Sequence, residues 1–241
     1  MVNIYNKIVQ SKKESQKLLA ILLDPDKIVW EDLDYVLIKI NQSPATHIFI
    51  GGSHVTCDRM DELIKRLKHT VNLPIVLFPG DPSQISNEAD AILFLSLLSG
   101  RNPDYLIAHQ VKAAPILKKM KLEVIPTGYI LIESGNTTAV ARVSKTTPID
   151  RDNLDLVLAT ALAGEMMGNL FIYLEAGSGA KQAVSSQTIK LVAQNIKIPL
   201  IVGGGIVDLQ SIEKAYVSGA DLVVIGTAFE KNYDFFDAIN K

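Results

Sequence analysis

Short apolar runs alternate with amphipathic stretches along most of the chain. Eight runs rich in apolar residues occupy positions 18–23, 46–50, 74–78, 91–95, 122–125, 170–173, 199–202 and 222–225. After the first run, Leu33, Leu37 and Ile40 recur at the spacing of one helix face. Spacings mostly of about 25 to 30 residues between runs predict repeated strand–helix–strand units with a parallel sheet. We expect eight units to close into a (β/α)8 barrel; an open doubly wound sheet is the competing architecture.

Helical spacing and helix-breaking residues predict the elements between the strands. Helices are predicted at residues 3–12, 56–68, 104–120, 154–167 and 228–239. Pro115 is expected to kink or restart its helix, because proline removes a backbone donor. The Thr- and Ser-rich stretch 136–151 is expected to form an extended excursion. With 48% hydrophobic content over 241 residues, the whole of residues 1–241 is expected to be one domain.

Three successive strand ends carry loops of small residues. Gly177, Ser178 and Gly179 follow the sixth run, Gly204 and Gly205 lie after the seventh, and Gly226-Thr227 follows the eighth. Glycine allows backbone N–H groups to turn toward an anion without a Cβ in the way. In a (β/α)8 barrel, loops after the seventh and eighth strands commonly form a phosphate site. We predict one shared phosphate pocket; the alternative is three unrelated turns.

Carboxylates lie where the first predicted strand ends. Asp24 and Asp26 follow the first run, and Pro25 stops the strand between them. In isolation they would be a helix cap and a surface charge. Beside a phosphate pocket, however, a carboxylate is costly unless a cation lies between the two anions. Mg²⁺ prefers oxygen ligands and often joins one or two protein groups to substrate phosphates, so we predict Mg²⁺ at Asp24 and Ser53.

Composition and charge narrow the classes of partner. The chain has 24 basic and 26 acidic residues and a formal charge of -2, without the basic excess of a nucleic-acid-coating protein. Cys57 is the one cysteine, so an intramolecular disulfide is impossible and a reducing cytoplasm is expected. No apolar run reaches the roughly 18 residues of a membrane span. We expect a cytoplasmic protein without a transmembrane segment and without a nucleic-acid partner.

Six short fragments occur in a fixed order along nearly the whole chain. They are LLDPDK at 22–27, IGGS at 50–53, PTGYI at 126–130, YLEAGSG at 173–179, GGGI at 203–206 and GT at 226–227. In their order and spacing, the chain resembles geranylgeranylglyceryl phosphate synthases and their bacterial prenylglyceryl phosphate relatives. The resemblance implies a Mg²⁺-dependent enzyme that joins sn-glycerol 1-phosphate to a polyprenyl diphosphate through an ether bond and releases diphosphate.

The resemblance also implies roles for individual residues. Asp24 and Ser53 match the positions that bind Mg²⁺ in this family. The residues implied for glycerol 1-phosphate are Tyr173, Leu174, Glu175, Ala176, Gly177, Ser178, Gly179, Gly204, Gly205, Gly226 and Thr227. Leu22 stands where Gram-positive relatives carry a lysine, and the loop at 176–179 is similar to the archaeal pattern. Together these departures favour geranylgeranyl diphosphate as the donor.

The chemistry of such a reaction assigns further candidates. An alcohol becomes a good nucleophile only as its proton is taken, and Glu175 is the predicted base; its alternative role is to orient the glycerol hydroxyls. Tyr173 either donates to the acceptor or packs at a strand end. Residues 93–98 and 129–132 either line an apolar groove for the prenyl tail or fill the barrel. Lys27 and Arg101 are either diphosphate contacts or surface charges.

The alternative function is a phosphate-binding barrel isomerase or lyase acting on a sugar-phosphate-like substrate, which would use the same glycine loops. A homo-oligomer is expected, with the apolar stretch 154–167 as the predicted face.

Overall fold

Eight parallel strands form a closed barrel in a computed structural model, which describes residues 3–53, 55–56 and 59–237. The strands are β1 (Leu18–Leu23), β2 (His47–Ile50), β3 (Ile75–Leu77), β4 (Ala91–Leu97), β5 (Glu123–Leu131), β6 (Phe171–Glu175), β7 (Leu200–Gly203) and β8 (Leu222–Ile225). Each strand pairs in parallel with its neighbour in sequence, and β8 pairs with β1 to close the ring. The predicted (β/α)8 barrel is confirmed, and the open sheet is excluded.

Helices surround the strands and cover one end of the barrel. They are α1 (Ile4–Lys13), α2 (Leu33–Gln42), α3 (Met60–Thr70), α4 (His109–Leu117), α5 (Ala139–Ser144), α6 (Leu154–Met166), α7 (Ser186–Asn195), α8 (Leu209–Ser218) and α9 (Thr227–Lys231). Short turns of 3-10 helix occupy Trp30–Asp32 and Pro82–Gln84, and one π-helical turn occupies Asp104–Ala108. Among the described residues, no helix is both long and apolar enough to cross a membrane.

The alternation of side chains along each strand builds two separate apolar layers. In β1, Leu18 and Ala20 pack inside the barrel, whereas Leu19 and Ile21 pack outward against the helices. Both sets are almost fully buried, because helices cover the outer face of the parallel sheet. This explains why the strands are continuous apolar runs in the sequence rather than alternating ones.

The N-terminal helix closes the end of the barrel that lies away from the strand C-termini. Ile4 and Ile8 of α1 join the interior layer at this end. The Glu123 carboxylate at the start of β5 accepts hydrogen bonds from the backbone N–H groups of Ile4 at 2.6 Å and Tyr5 at 2.9 Å. A carboxylate there satisfies amides that the helix leaves free and is favoured by the helix dipole. Ligands must therefore enter from the opposite end.

The covering layer is incomplete between β3 and β4. Residues 78–90 contain only the 3-10 turn Pro82–Gln84, so this connection lacks the helix that a regular (β/α)8 unit would supply. The π-helical turn and α4 contact β4 instead. This irregular corner lies beside the C-terminal ends of the strands and bears on the site described below.

Several predicted elements differ from the structure. Pro115 lies inside α4, and the helix ends two residues later at Leu117. The irregular turn is Asp104–Ala108. The stretch predicted as extended contains α5, whose first turn is capped by the Thr138 hydroxyl, which accepts the Ala141 N–H at 3.4 Å. β5 continues to Leu131, since β4 and β6 pair with it on both sides.

The ends of two predicted helices also shift. The helix predicted at 56–68 begins at Met60, and the one predicted at 228–239 is the short α9 followed by turns to residue 237. Cys57 and residues 238–241 lie outside the described residues. These shifts leave the order of strands and helices unchanged.

Candidate active site

A cavity of about 680 Å³ opens at the C-terminal ends of the strands. The ends of β1, β2, β6, β7 and β8 all contribute to its walls. The predicted site residues that line it are Asp24, Ser53, Tyr173, Glu175, Gly177, Ser178, Gly179, Gly204, Gly205, Gly226 and Thr227. The predicted metal residues and the predicted phosphate loops therefore share one cavity.

Leu174 and Ala176 are the two predicted site residues that do not line the cavity. Both pack in the layer between the barrel and its helices. Leu174 alternates with Tyr173 and Glu175 along β6, so its side chain points outward. The Ala176 amide is also unavailable to a ligand, because it donates to the Gly203 carbonyl at 3.1 Å.

The loops after β6 and β7 form a cradle of neutral donors. Gly204 has φ +77°, and a Cβ there would lie 2.1 Å from Glu175 Oε1 and 2.5 Å from the Gly177 nitrogen. Only glycine allows this approach. Among the described residues, the N–H groups of Gly204 and Gly205 have no acceptor. Bare amides of this kind at a loop suit a bound anion such as phosphate.

The third loop brings hydroxyl groups to the same cradle. α9 begins at Thr227, directly after β8 and Gly226. The Thr227 Oγ1 lies 3.2 Å from the Ser178 Oγ, so the loops after β6 and β8 touch. Together with the amides, these hydroxyls make a polar end to the cavity.

Glu175 is a buried carboxyl group at the edge of this cradle. It is only 5% exposed, and its Oε1 accepts the Gly177 N–H at 2.5 Å. Burial raises the pKa of Glu175 to about 7, although the amide of Gly177 and the hydroxyl of Tyr173 favour the ionised form. A carboxyl group with this pKa can exchange a proton near neutral pH.

Aromatic rings form the floor of the cavity. The ring of Tyr173 stacks on that of Phe78 at 5.2 Å between centroids, and Tyr129 lies 5.3 Å from Tyr173. The Tyr173 hydroxyl is fully buried beside Glu175 and has no partner of good hydrogen-bond geometry within the described part of the chain. Buried hydroxyls are normally paired, and the group beside this hydroxyl is the Glu175 carboxyl, whose ionised form it favours.

The wall formed where β1 ends carries carboxylates and the ammonium group of Lys27. Asp24 is 9% exposed, and its Oδ2 lies 2.9 Å from Lys27 Nζ. Glu230 in α9 accepts the Asp24 N–H at 3.1 Å and lies 3.3 Å from the same ammonium group. Burial raises the pKa of Glu230. Burial opposes the charge on Lys27, but contacts with Asp24 and Glu230 prevail and raise its pKa.

The Asp24 wall has the donor chemistry that Mg²⁺ requires. A Cβ on Gly52 would lie 2.9 Å from Asp24 Oδ2, which places the Gly52-Ser53 backbone directly against this carboxylate. Carboxylate and hydroxyl oxygens are hard ligands, and the Lys27 contact shows that a cation is accommodated here. In the described ranges, no three His, Cys, Asp or Glu side chains converge on one point. The residues therefore fit an ion that takes its remaining ligands from substrate and water.

An apolar slot of about 100 Å³ adjoins the cavity where the barrel lacks a helix. It lies between β4 and the segment that runs from the π-helical turn into α4. Phe78, Tyr129 and Val140 line both the slot and the cavity, so the two spaces share a wall. The other apolar lining residues include Leu93, Phe94, Leu95, Leu97 and Ala113. Of the residues predicted to line a groove or fill the barrel, Leu93, Phe94, Leu95, Leu97 and Tyr129 line this slot. Leu98, Ile130, Leu131 and Ile132 are core residues.

The profile of the PcrB family matches residues 10–241 of this sequence. This chain belongs to the PcrB family. It is 68% identical over 238 residues to the geranylgeranylglyceryl phosphate synthase of Flavobacterium johnsoniae, covering 99% of this chain and 98% of the relative. It is 51% identical to the enzyme of the same name from Zunongwangia profunda, covering 95% and 98%.

A solved structure with the same fold supports the family assignment. The crystal structure of (S)-3-O-geranylgeranylglyceryl phosphate synthase from Thermoplasma acidophilum, in complex with its substrate sn-glycerol-1-phosphate, is 34% identical. The match has a TM-score of 0.92 and covers 99% of this chain and 96% of that one. The resemblance seen in the sequence fragments is confirmed for this PcrB-family chain.

The cavity residues of this PcrB-family chain that the sequence did not indicate include Glu230 and Phe78. Lys27, predicted as either a diphosphate contact or a surface charge, lines the cavity and contacts two carboxylates. Glu230 follows Gly226-Thr227 by one helical turn, a spacing that becomes informative only once β8 is known to pair with β1. Arg101 lies elsewhere, with its guanidinium on the carbonyls of Leu98 and Gly100.

The pKa of Glu175 generates a prediction about stability. Because the folded-state pKa is about 7 and the ordinary value is 4.5, the unfolded chain releases this proton first as pH rises. The folded state therefore loses stability between pH 4.5 and 7. We expect Glu175→Gln to leave the free energy of unfolding unchanged near pH 4.5 and to raise it by on the order of 2 kcal/mol at pH 8.

Urea denaturation of ligand-free protein from pH 4.5 to pH 8 measures this difference. Glu133→Gln is a matched control, since the Glu133 carboxylate accepts the Gly135 N–H in the same i,i+2 arrangement but at the surface. A pH-independent difference at Glu175, or the same pH dependence at Glu133, would contradict the assignment.

Proposed function

We propose that this PcrB-family protein transfers a geranylgeranyl group from its diphosphate to sn-glycerol 1-phosphate, forming an ether bond and releasing diphosphate. The observation that carries the proposal is the arrangement of one cavity: a neutral anion cradle at one wall, carboxylates at the other, and an apolar slot beside both. The names of the relatives and the glycerol-1-phosphate complex of the Thermoplasma enzyme support the same reaction. A sugar-phosphate isomerase or lyase would leave the slot without a role.

The cradle suits the phosphate group of the acceptor. The amides of Gly204 and Gly205 and the hydroxyls of Ser178 and Thr227 surround one end of the cavity. Amides held by the fold bind an anion without first losing side-chain freedom. With its phosphate here, the glycerol part extends toward Glu175 and Tyr173, which line the adjoining wall.

Glu175 would act on the glycerol hydroxyl. In its ionised form the carboxylate takes the hydroxyl proton while the oxygen forms a bond to the first carbon of the prenyl chain. The bond between that carbon and the diphosphate oxygen breaks, and its electron pair leaves with the diphosphate. A pKa of about 7 keeps much of Glu175 ionised at neutral pH while leaving it basic enough to hold the proton.

Asp24 and Ser53 would hold Mg²⁺ at the other wall. When bound, the ion neutralises negative charge on the diphosphate as a Lewis acid and so favours its departure. The Glu230 carboxylate accepts the backbone N–H of Asp24 and so fixes the backbone there. Lys27 supplies a positive charge at the same wall, in addition to that of the ion. These contacts orient the carboxylate before a substrate arrives.

The apolar slot would receive the prenyl tail. Each methylene group removed from water contributes roughly 0.8 kcal/mol, so a long tail gains substantially from an apolar wall. Phe78 and Tyr129 stand where slot and cavity meet, next to the place where the allylic carbon must lie. Aromatic faces stabilise positive charge of the kind that develops on this carbon.

The oligomeric state and the location of the protein are still predictions. We expect a homo-oligomer, and the predicted face at 154–167, on α6 and the residue after it, exposes Leu156, Met166 and Met167. We also expect a cytoplasmic location.

Incubation with radiolabelled sn-glycerol 1-phosphate and geranylgeranyl diphosphate tests the function directly. We expect label to pass into an organic phase with Mg²⁺ and not with EDTA. Asp24→Asn should lower turnover by roughly 100-fold or more, because the ion loses its charged protein ligand. Binding of Mn²⁺, measured by electron paramagnetic resonance, should weaken, while glycerol 1-phosphate affinity should stay within about twofold.

Asp152→Asn is the control, since Asp152 is an exposed residue that does not line the cavity. Equal loss of Mn²⁺ and glycerol phosphate binding in Asp24→Asn would contradict the metal assignment. Absence of organic-phase label with any prenyl diphosphate would remove the proposed function.

The pH profile tests the role of Glu175. A base with a pKa of about 7 predicts that kcat/KM rises about tenfold per pH unit below this value and levels off above it. Glu175→Gln should lower kcat by about 10² to 10⁴ and remove this limb. A variant that keeps the limb with only a small loss would assign Glu175 to orientation of the hydroxyls instead.

A substitution at Ala113 tests whether the slot binds the prenyl tail. Ala113 is 6% exposed and lines the slot from α4, whereas its neighbour Ala114 faces solvent. We expect Ala113→Phe to lower kcat/KM for geranylgeranyl diphosphate by about tenfold or more while sparing geranyl diphosphate, because the added ring fills the path of a long tail. Ala114→Phe should change neither value. Equal loss with both donors would place the tail elsewhere.

A further inference from the structure

The elements that cover the apolar slot also present apolar side chains to solvent. Tyr105, His109 and Ala113 line the slot. On the outer side of the same segment, Ile107 is 58% exposed and Val111 is 64% exposed. A helix that is apolar on both sides and covers a lipid-sized slot needs an explanation beyond the stability of the barrel.

The outer side of this segment is also strongly basic. Residues 105–122 include Lys112, Lys118, Lys119 and Lys121 and contain no aspartate or glutamate, although Asp104 and Glu123 flank them and the chain as a whole has a net charge of -2. Within the described residues, none of these lysines has a carboxylate within 4.0 Å. Lys118, the residue directly after α4, continues its backbone conformation and follows Val111 by seven residues, so basic and apolar side chains share one exposed face.

On the other side of the slot, α5 and the residues around it are also both apolar and basic. Val140 and Val143 of α5 line the slot, and Val143 is 40% exposed. The Tyr105 hydroxyl donates to the Val143 carbonyl at 3.3 Å, which joins the two covering elements. Residues 134–149 contain Arg142 and Lys145 and again no acidic residue. The basic and apolar character therefore belongs to the rim of the slot rather than to one helix.

We propose that this rim docks the protein on an anionic lipid bilayer. The part of the rim formed by α4 and the turns that flank it is called the α4 face and comprises Ile107, Val111, Ile116, Lys112, Lys118 and Lys119. Basic residues attract the headgroups of anionic lipids, and the exposed aliphatic side chains enter the interface. The inference rests on the proposed function only for the lipid nature of the substrate in the slot.

The charges on this surface argue against a second copy of the chain or a nucleic acid as its partner. In a symmetric dimer the same patch meets itself, which would bring the lysines of two copies together without acidic partners. A nucleic acid would satisfy the lysines but not Ile107 and Val111, which stand among them. An anionic bilayer satisfies both kinds of side chain, and it is also where a polyprenyl donor and its product reside.

Flotation with vesicles tests the proposal without any substrate. We expect the full chain to float with vesicles of phosphatidylcholine and phosphatidylglycerol at a 7:3 ratio, at roughly the composition where anionic lipid attracts basic segments. It should not float with phosphatidylcholine alone. Val111→Asp and the double variant Lys118→Glu, Lys119→Glu should each weaken binding by at least about tenfold, and raised salt should weaken the wild type.

Two variants serve as matched controls. Val217→Asp changes a valine that is 80% exposed on α8, and Lys190→Glu, Lys197→Glu reverses two exposed lysines elsewhere. Both should float like the wild type, and all variants should keep the wild-type melting temperature. Failure of the wild type to float, or equal loss in the controls, would overturn the proposal. Loss of a wild-type oligomer in Val111→Asp by analytical ultracentrifugation would assign the face to a second copy and also overturn it.

Activity assays separate this inference from the proposed function. With geranyl diphosphate in solution, Val111→Asp should match the wild type, since Val111 does not line the slot. With geranylgeranyl diphosphate supplied in the anionic vesicles, its rate should fall at least about fivefold. Loss of activity with both donors would place Val111 in the catalytic machinery, against the proposal.

Discussion

The pairing of β8 with β1 is the constraint on which the rest of the site depends. Ile225 pairs with Ile21, so the residues that follow both strands emerge side by side at one end of the barrel. Asp24 there donates its backbone N–H to Glu230, and Gly226 and Thr227 border the same cavity. Because all eight strands are parallel, the loops of β6 and β7 reach this end as well. A ring closed in this way places two walls with opposite chemistry around one space.

Within that space, burial and backbone geometry act together on Glu175. The close approach of Gly204, which has no Cβ, is part of the packing that buries the carboxyl group. This burial raises the pKa of Glu175 to about 7. The same loops leave the amides of Gly204 and Gly205 without acceptors among the described residues. One local arrangement therefore provides both a base near neutral pH and a binding place for an anion, which a reaction between a glycerol phosphate and a diphosphate requires.

The absence of a helix between β3 and β4 gives the barrel its specific character. In its place, the π-helical turn, α4 and α5 cover an apolar slot that shares Phe78 and Tyr129 with the polar cavity. The polar reacting groups and the apolar tail would thus lie on either side of the Phe78 and Tyr129 rings. The same covering elements carry exposed lysines and aliphatic side chains outward, which links the slot to the proposed lipid surface.

The sequence by itself determined the eight strands, the barrel, the glycine loops and the positions of Asp24 and Glu175, because runs of apolar residues and strand ends are local patterns. It did not show that Leu174 and Ala176 lie outside the cavity that their neighbours line, since the direction of a side chain depends on which face of β6 points inward. It missed the extension of β5 and the helix α5, which depend on partners or caps. The contacts of Glu230 with Asp24 and with Lys27 join residues about 200 positions apart, and only closure of the ring brings them together. The slot is likewise a property of packing, because it exists where an expected helix is missing.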